Sequence, residues 1–97
     1  MHPIRGRLVI GRSSVCELQV QDSTVSGEHA RVRWNGAQWE IRDLGSRNGT
    51  YVQGVRRGSG EVVVLQEGMQ VGLGRQEPHF VWVEGSAPGP MARRNSD

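Results

Sequence analysis

The sequence has no lysine and one cysteine, Cys16. A single cysteine excludes an internal disulfide and suits a chain kept in a reducing compartment, so a cytoplasmic location is expected. With only three scattered histidines beside it, a zinc site is not expected. No stretch approaches the roughly 20 consecutive apolar residues of a membrane-spanning helix, and the first residues lack the apolar core of a secretory leader. No membrane partner is therefore expected. No window carries a long run of Ala, Leu and Glu, which argues against helices. The formal net charge is only +2, and it is too small and too dispersed for a nucleic-acid-binding stripe. All twelve basic residues are arginine. Arginine offers planar bidentate contacts to phosphate and carboxylate that lysine does not.

Ninety-seven residues make one domain, with a core that is adequate but not generous. Fourteen glycines and 35% hydrophobic residues suit many short strands and tight turns. Residues 8–10 form an apolar run ended by the turn cluster Gly11-Arg12-Ser13-Ser14. Cys16, Leu18 and Val20 alternate with polar residues, as a half-buried strand does. In the loop that follows, Asp22 and Ser23 are placed to bond their own backbone. Ala30, Val32 and Trp34 share one face and Arg31 and Arg33 the other; Asn35-Gly36 is the preferred dipeptide of a type I′ turn. The return strand turns Trp39 and Ile41 inward and Glu40 and Arg42 outward, so Glu40 or Arg42 is expected beside Arg31 or Arg33. Short strands are expected at 51–52, 61–65, 69–74 and 80–83, and residues 55–60 as a connection with little regular structure. That amounts to about eight to ten strands with frequent turn signals, the pattern of an all-β sandwich or barrel. Residues 1–84 form the domain, and 85–97 read as a flexible tail.

The chain is organised around residues 24–54, where two loops rich in Ser, Gly, Arg and Asn bracket the two-stranded ribbon. Ser26 and His29 invite a hydrolase reading. However, Ser26 has Thr24 two residues before it and Glu28 two after, so the Gly-x-Ser-x-Gly elbow is missing. No acid is set up by the sequence to orient His29, and a structural role for His29, bonded to loop backbone, is the better reading. Gly72-Leu73-Gly74 lacks the third glycine and the following helix of a dinucleotide site. No enzymatic activity and no cofactor are expected.

Gly11-Arg12, Ser26-x-x-His29 and Gly45-Ser46-Arg47-Asn48-Gly49-Thr50-Tyr51 occur in that order, with strands between them. Together they closely resemble the forkhead-associated (FHA) domain, over roughly residues 8–83. The resemblance implies an FHA-like (SMAD/FHA) β-sandwich of two twisted sheets with about 10–11 strands, binding phosphothreonine peptides through loops at one end. It implies that Arg12 pairs with the phosphate and that Ser26 donates its hydroxyl to it. Asn48 would hold the peptide backbone, and Arg47 would border the phosphothreonine pocket. Gly11, His29 and Gly49 would keep the loops in shape. The chemistry agrees: a phosphate carries about −1.5 to −2 charges near pH 7, and Arg and hydroxyl donors suit it.

Two departures stand out. Gly27 occupies a position where the family often has Arg or Asn; its backbone donor is kept and a side-chain contact is lost. Only ten residues precede Gly11, so either residues 1–9 supply a curtailed edge or the first strand is missing and a sheet edge is open to another chain. Threonine occurs only at Thr24 and Thr50, inside the motifs, so a tail phosphothreonine that blocks the site is not expected. The expected function is recognition of phosphothreonine in partner proteins within Ser/Thr-kinase signalling. The alternative is an FHA-like assembly domain that binds its partners without phosphate, which Gly27 and the short N-terminus favour. The sequence leaves the oligomeric state open.

Overall fold

The computed structural model describes residues 6–83. Nine strands form two sheets: β1 (Arg7–Gly11), β2 (Leu18–Gln19), β3 (Ala30–Trp34), β4 (Trp39–Asp43), β5 (Thr50–Val52), β6 (Val55–Arg57), β7 (Val62–Val64), β8 (Gln70–Leu73) and β9 (Phe80–Val81). One sheet has the order β2-β1-β3-β4-β7 and the other β6-β5-β8-β9. Among the described residues there is no helix, as expected of an all-β sandwich.

The period-two pattern of β3 and β4 decides which face is buried. Val32 pairs with Leu8 on one side and with Ile41 on the other, and Ile41 pairs with Val63, so one row of apolar side chains crosses four strands. Val52, Val71 and Leu73 of the second sheet close over this row, with Val25 and Leu65 from the loops. Trp39 sits between Trp34 and Trp82, its ring centroid 5.5 and 5.4 Å from theirs. These edge-to-face and tilted contacts add to the area that the rings bury.

Several expectations need correction. The β3–β4 hairpin does not use a type I′ turn, because Asn35 keeps a negative φ and only Gly36 is positive, at 104°. The Asn35 side chain instead accepts the amides of Ala37 and Gln38 and donates to Glu40, so it serves as a local cap. Two consecutive positive φ values occur at Gln53 and Gly54, between the paired Val52 and Val55. That hairpin builds β6 in the stretch expected to be irregular. The strand expected around Cys16, Leu18 and Val20 shrinks to two residues. Cys16 lies in a turn, its amide bonded to the Ser13 carbonyl and its thiol to that of Gly27. Across the ribbon Arg33 does meet Glu40, at 2.9 Å, but Arg31 stands opposite Arg42. Residues 7–9 pair with β3 on one side only, because β2 covers just Ile10 and Gly11 on the other, so this stretch of β1 is an edge, as one of the two expectations had it. Residues 1–5 and the tail expected at 85–97 lie outside the described residues.

Candidate functional site

The two motif loops meet at Ser26. The Arg12 amide donates to the Ser26 carbonyl (2.9 Å), and the Arg47 amide donates to the Ser26 hydroxyl oxygen (3.1 Å). The Ser26 oxygen therefore already serves as an acceptor, and its proton is left to be donated outward. Arg12 and Arg47 are exposed, and among the described residues neither guanidinium has a partner. The Gly27 amide is likewise free, while its carbonyl accepts the Ser13 amide. The site is thus a set of unpaired donors on backbone that is itself pinned, which is how an anion site avoids ordering costs.

Gly11 allows this close approach. A Cβ there would sit 2.1 Å from the Gly27 carbonyl oxygen. Gly27 differs: its nearest foreign atom to a built Cβ is 4.0 Å away, and its φ is ordinary. Its small size is not a demand of the fold. At the next turn the Asn48 amide nitrogen donates to the Thr24 carbonyl (3.0 Å). One of its amide hydrogens is thus engaged in holding the two loops together, which leaves the second hydrogen and the oxygen for a ligand.

His29 is fully buried. Its Nδ1 accepts the Ser26 amide (3.0 Å), so Nε2 carries the proton and donates to the Gly49 carbonyl (2.8 Å). Burial, which outweighs the favourable Gly49 contact and the Asp43 charge, pushes the imidazole below its ordinary pKa. Both ring nitrogens thus face backbone, and none faces the Ser26 hydroxyl. No nucleophile–base pair exists there, which removes the hydrolase reading of these two residues. Gly49 adopts a left-handed φ of 88° and also accepts the Gly74 amide (2.8 Å).

Two carboxylates organise these loops: Asp43, which sequence reasoning did not single out, and Asp22, expected only to bond its own backbone. Asp43, 3% exposed, accepts the Gly45 and Ser46 amides on one oxygen, and the Ser46 and Thr50 hydroxyls on the other. Burial alone would raise its pKa, but these four donors outweigh it and hold the carboxyl below its ordinary value. Ser46 in turn accepts the Gly49 amide. Asp22 is the second hub. It accepts the Thr24 amide and hydroxyl on one oxygen, and His79 and Arg75 on the other. The Thr24 amide, then His79, hold it far below the usual carboxylate range. A local signal existed for Asp22-x-Thr24 and for Asp43-x-x-Ser46, which are side-chain-to-backbone turn spacings. None existed for His79, 57 residues from Asp22. Gly74, dismissed with its neighbours as a weak nucleotide motif, packs on the site: a Cβ there would meet the Thr24 carbonyl at 2.1 Å.

A family model described as the FHA domain matches residues 8–74. The chain belongs to the FHA domain family. This FHA domain is 40% identical over 65 residues to an oxoglutarate dehydrogenase inhibitor from Corynebacterium jeikeium, covering 67% of this chain and 43% of that protein. It spans less than half the length of the curated relatives it matches. A solved structure of phosphothreonine-dependent FHA domain interactions superposes with a TM-score of 0.65 at 31% identity, covering 73% of this chain and 71% of that one. EmbR of Mycobacterium tuberculosis, solved with a low-affinity phosphopeptide, gives 0.65 at 31% identity, covering 70% of this chain and 17% of EmbR. FHA domains are binding modules, which agrees with an arrangement of donors that holds no acid–base pair. Among the described residues no three His, Cys, Asp or Glu side chains gather as a metal set, and no helix is long and apolar enough to cross a membrane.

Proposed function

We propose that this FHA domain binds phosphothreonine-containing segments of partner proteins at its loop end, in signalling by Ser/Thr kinases in the cytoplasm. The observation that carries the reading is the arrangement around Ser26. The two unpaired arginines, Arg12 and Arg47, each hang from an amide bonded to that residue, whose own hydroxyl proton is free. In this reading Arg12 neutralises the phosphate. Ser26 and the Gly27 amide donate to it. Arg47 flanks the pocket, and Asn48 offers its remaining amide hydrogen and its oxygen to the peptide backbone. Gly11, His29 and Gly49 hold the loops. The similarity to EmbR, solved with a phosphopeptide, and to a domain studied for phosphothreonine-dependent interactions supports phosphopeptide binding.

The test is a titration with a degenerate phosphothreonine peptide library beside its unphosphorylated twin. Binding should require the phosphate, and Arg12→Ala should weaken it by about 2–4 kcal/mol, the scale of a lost charged bidentate donor. Equal binding to both libraries would sink the reading in favour of phosphate-independent assembly, and a loss below about 0.5 kcal/mol in Arg12→Ala would contradict the role given to Arg12.

A further inference from the structure

The outer face of the five-stranded sheet carries a second concentration of arginine. In one row Arg7 pairs with Arg33 and Arg33 with Glu40; in the next Arg31 pairs with Arg42 and Arg42 with Val62. Two arginines directly opposite on an antiparallel pair repel, and a glutamate at either position would serve stability better. Glu40 does not relieve them by contact. One of its oxygens is bonded to Arg33 and the other to Asn35. Arg7, Arg31 and Arg42 make no hydrogen bond or ion pair among the described residues. The Arg31 Nε is moreover shielded from solvent with no partner, an arrangement that is unfavourable until an acceptor arrives. It borders a shallow cleft lined by Arg31, Arg33, Glu40, Arg42 and Val62.

We propose that this face is a second docking surface, for an acidic segment of a protein partner whose carboxylates seat between Arg31 and Arg42. The cleft has a volume of about 30 Å³, the space of one or two waters, which is enough to seat a carboxylate. A planar guanidinium binds a carboxylate in bidentate fashion. Glu40 in the middle of the face opposes a continuous phosphate backbone, and the exposed Val62 beside it suits a peptide. The surface is distinct from the loop end, since these side chains point away from the core on the sheet itself.

The experiment is an NMR titration of the 15N-labelled chain with an unphosphorylated decapeptide of alternating Glu and Ser. The amides of Arg31, Arg33, Arg42 and Val62 should shift. Arg31→Gln/Arg42→Gln should weaken binding tenfold or more, whereas Arg12→Ala/Arg47→Ala, which removes the same two charges from the loop end, should not. The sheet-face variant should also withstand urea as well as the wild type or better, because it relieves a repulsion that no merely structural role would retain. The exposed Arg42→Gln alone should weaken binding severalfold, and it serves if the double variant does not fold. Shifts confined to the loop end, no shifts at millimolar peptide, or tighter binding of a ten-nucleotide oligouridylate on this face would each overturn the proposal.

Discussion

Asp43→Asn keeps the shape of the side chain and removes its charge, and it probes the hub that builds the Arg47–Asn48 loop. Four donors converge on the two carboxylate oxygens: the amides of Gly45 and Ser46 on Oδ2, and the hydroxyls of Ser46 and Thr50 on Oδ1. An asparagine has one acceptor oxygen and one NH2 group. Placing its oxygen toward the two amides turns the NH2 toward the hydroxyls, and the Ser46 hydroxyl already accepts the Gly49 amide. Two charge-assisted bonds are lost and two become neutral, which comes to about 2–4 kcal/mol of stability. Urea unfolding at pH 7 should show that gap between wild type and Asp43→Asn. The gap also has a predicted pH dependence. The Asp43 carboxyl titrates below its ordinary value in the folded state, so its ionised form contributes stability that is fully present above the unfolded pKa of about 3.9. That contribution is lost as pH falls through the lower folded value. The gap should be flat from pH 7 to about 4.5 and close below that. A gap under about 0.5 kcal/mol, or one that shrinks already between pH 7 and 5, would refute the role given to the charge.

Gly11→Ala and Gly27→Ala should behave oppositely although both glycines line the site. The first drives a methyl into the Gly27 carbonyl and should lower stability by about 1–3 kcal/mol. The second meets open space and should stay within about 0.5 kcal/mol of wild type; calorimetry that ranks them equally would contradict the close approach. His29 is buried in its neutral form with its pKa lowered, so the unfolded chain binds its proton first. Stability should therefore decline as pH falls below about 6.5, and this slope should vanish in His29→Gln. Chemical denaturation between pH 7.5 and 5 that shows the same slope in both proteins would show that another group is responsible.

The motif residues themselves were legible without coordinates. Arg12, Ser26 with Gly27, and Arg47 with Asn48 fall on three loops that do meet at Ser26, because turn-forming residues and strand periodicity mark loops and faces locally. The same holds for Ala30, Val32, Trp39 and Ile41, whose alternation placed them in the core before any register was known. The hairpin turns were read less well. Asn35-Gly36 carries the stronger I′ signal, yet the Asn35 side chain caps its own loop, while Gln53-Gly54 takes the two positive φ values between β6 and β5, which is itself held by β8 on its other side. Tertiary pairing there outweighs the intrinsic reluctance of glutamine toward that conformation.

Residue chemistry and spacing in the sequence alone determined that this is an all-β domain with a basic, hydroxyl-bearing loop end, since side-chain period and turn propensity act over a few residues. The tertiary structure alone decided that Asp22 reaches Arg75 and His79, that Gly74 packs on Thr24, and that Arg31 faces Arg42. Each of these depends on strand register and on contacts between distant segments. Alternation specifies which face a side chain occupies but leaves open which neighbour it meets across the sheet.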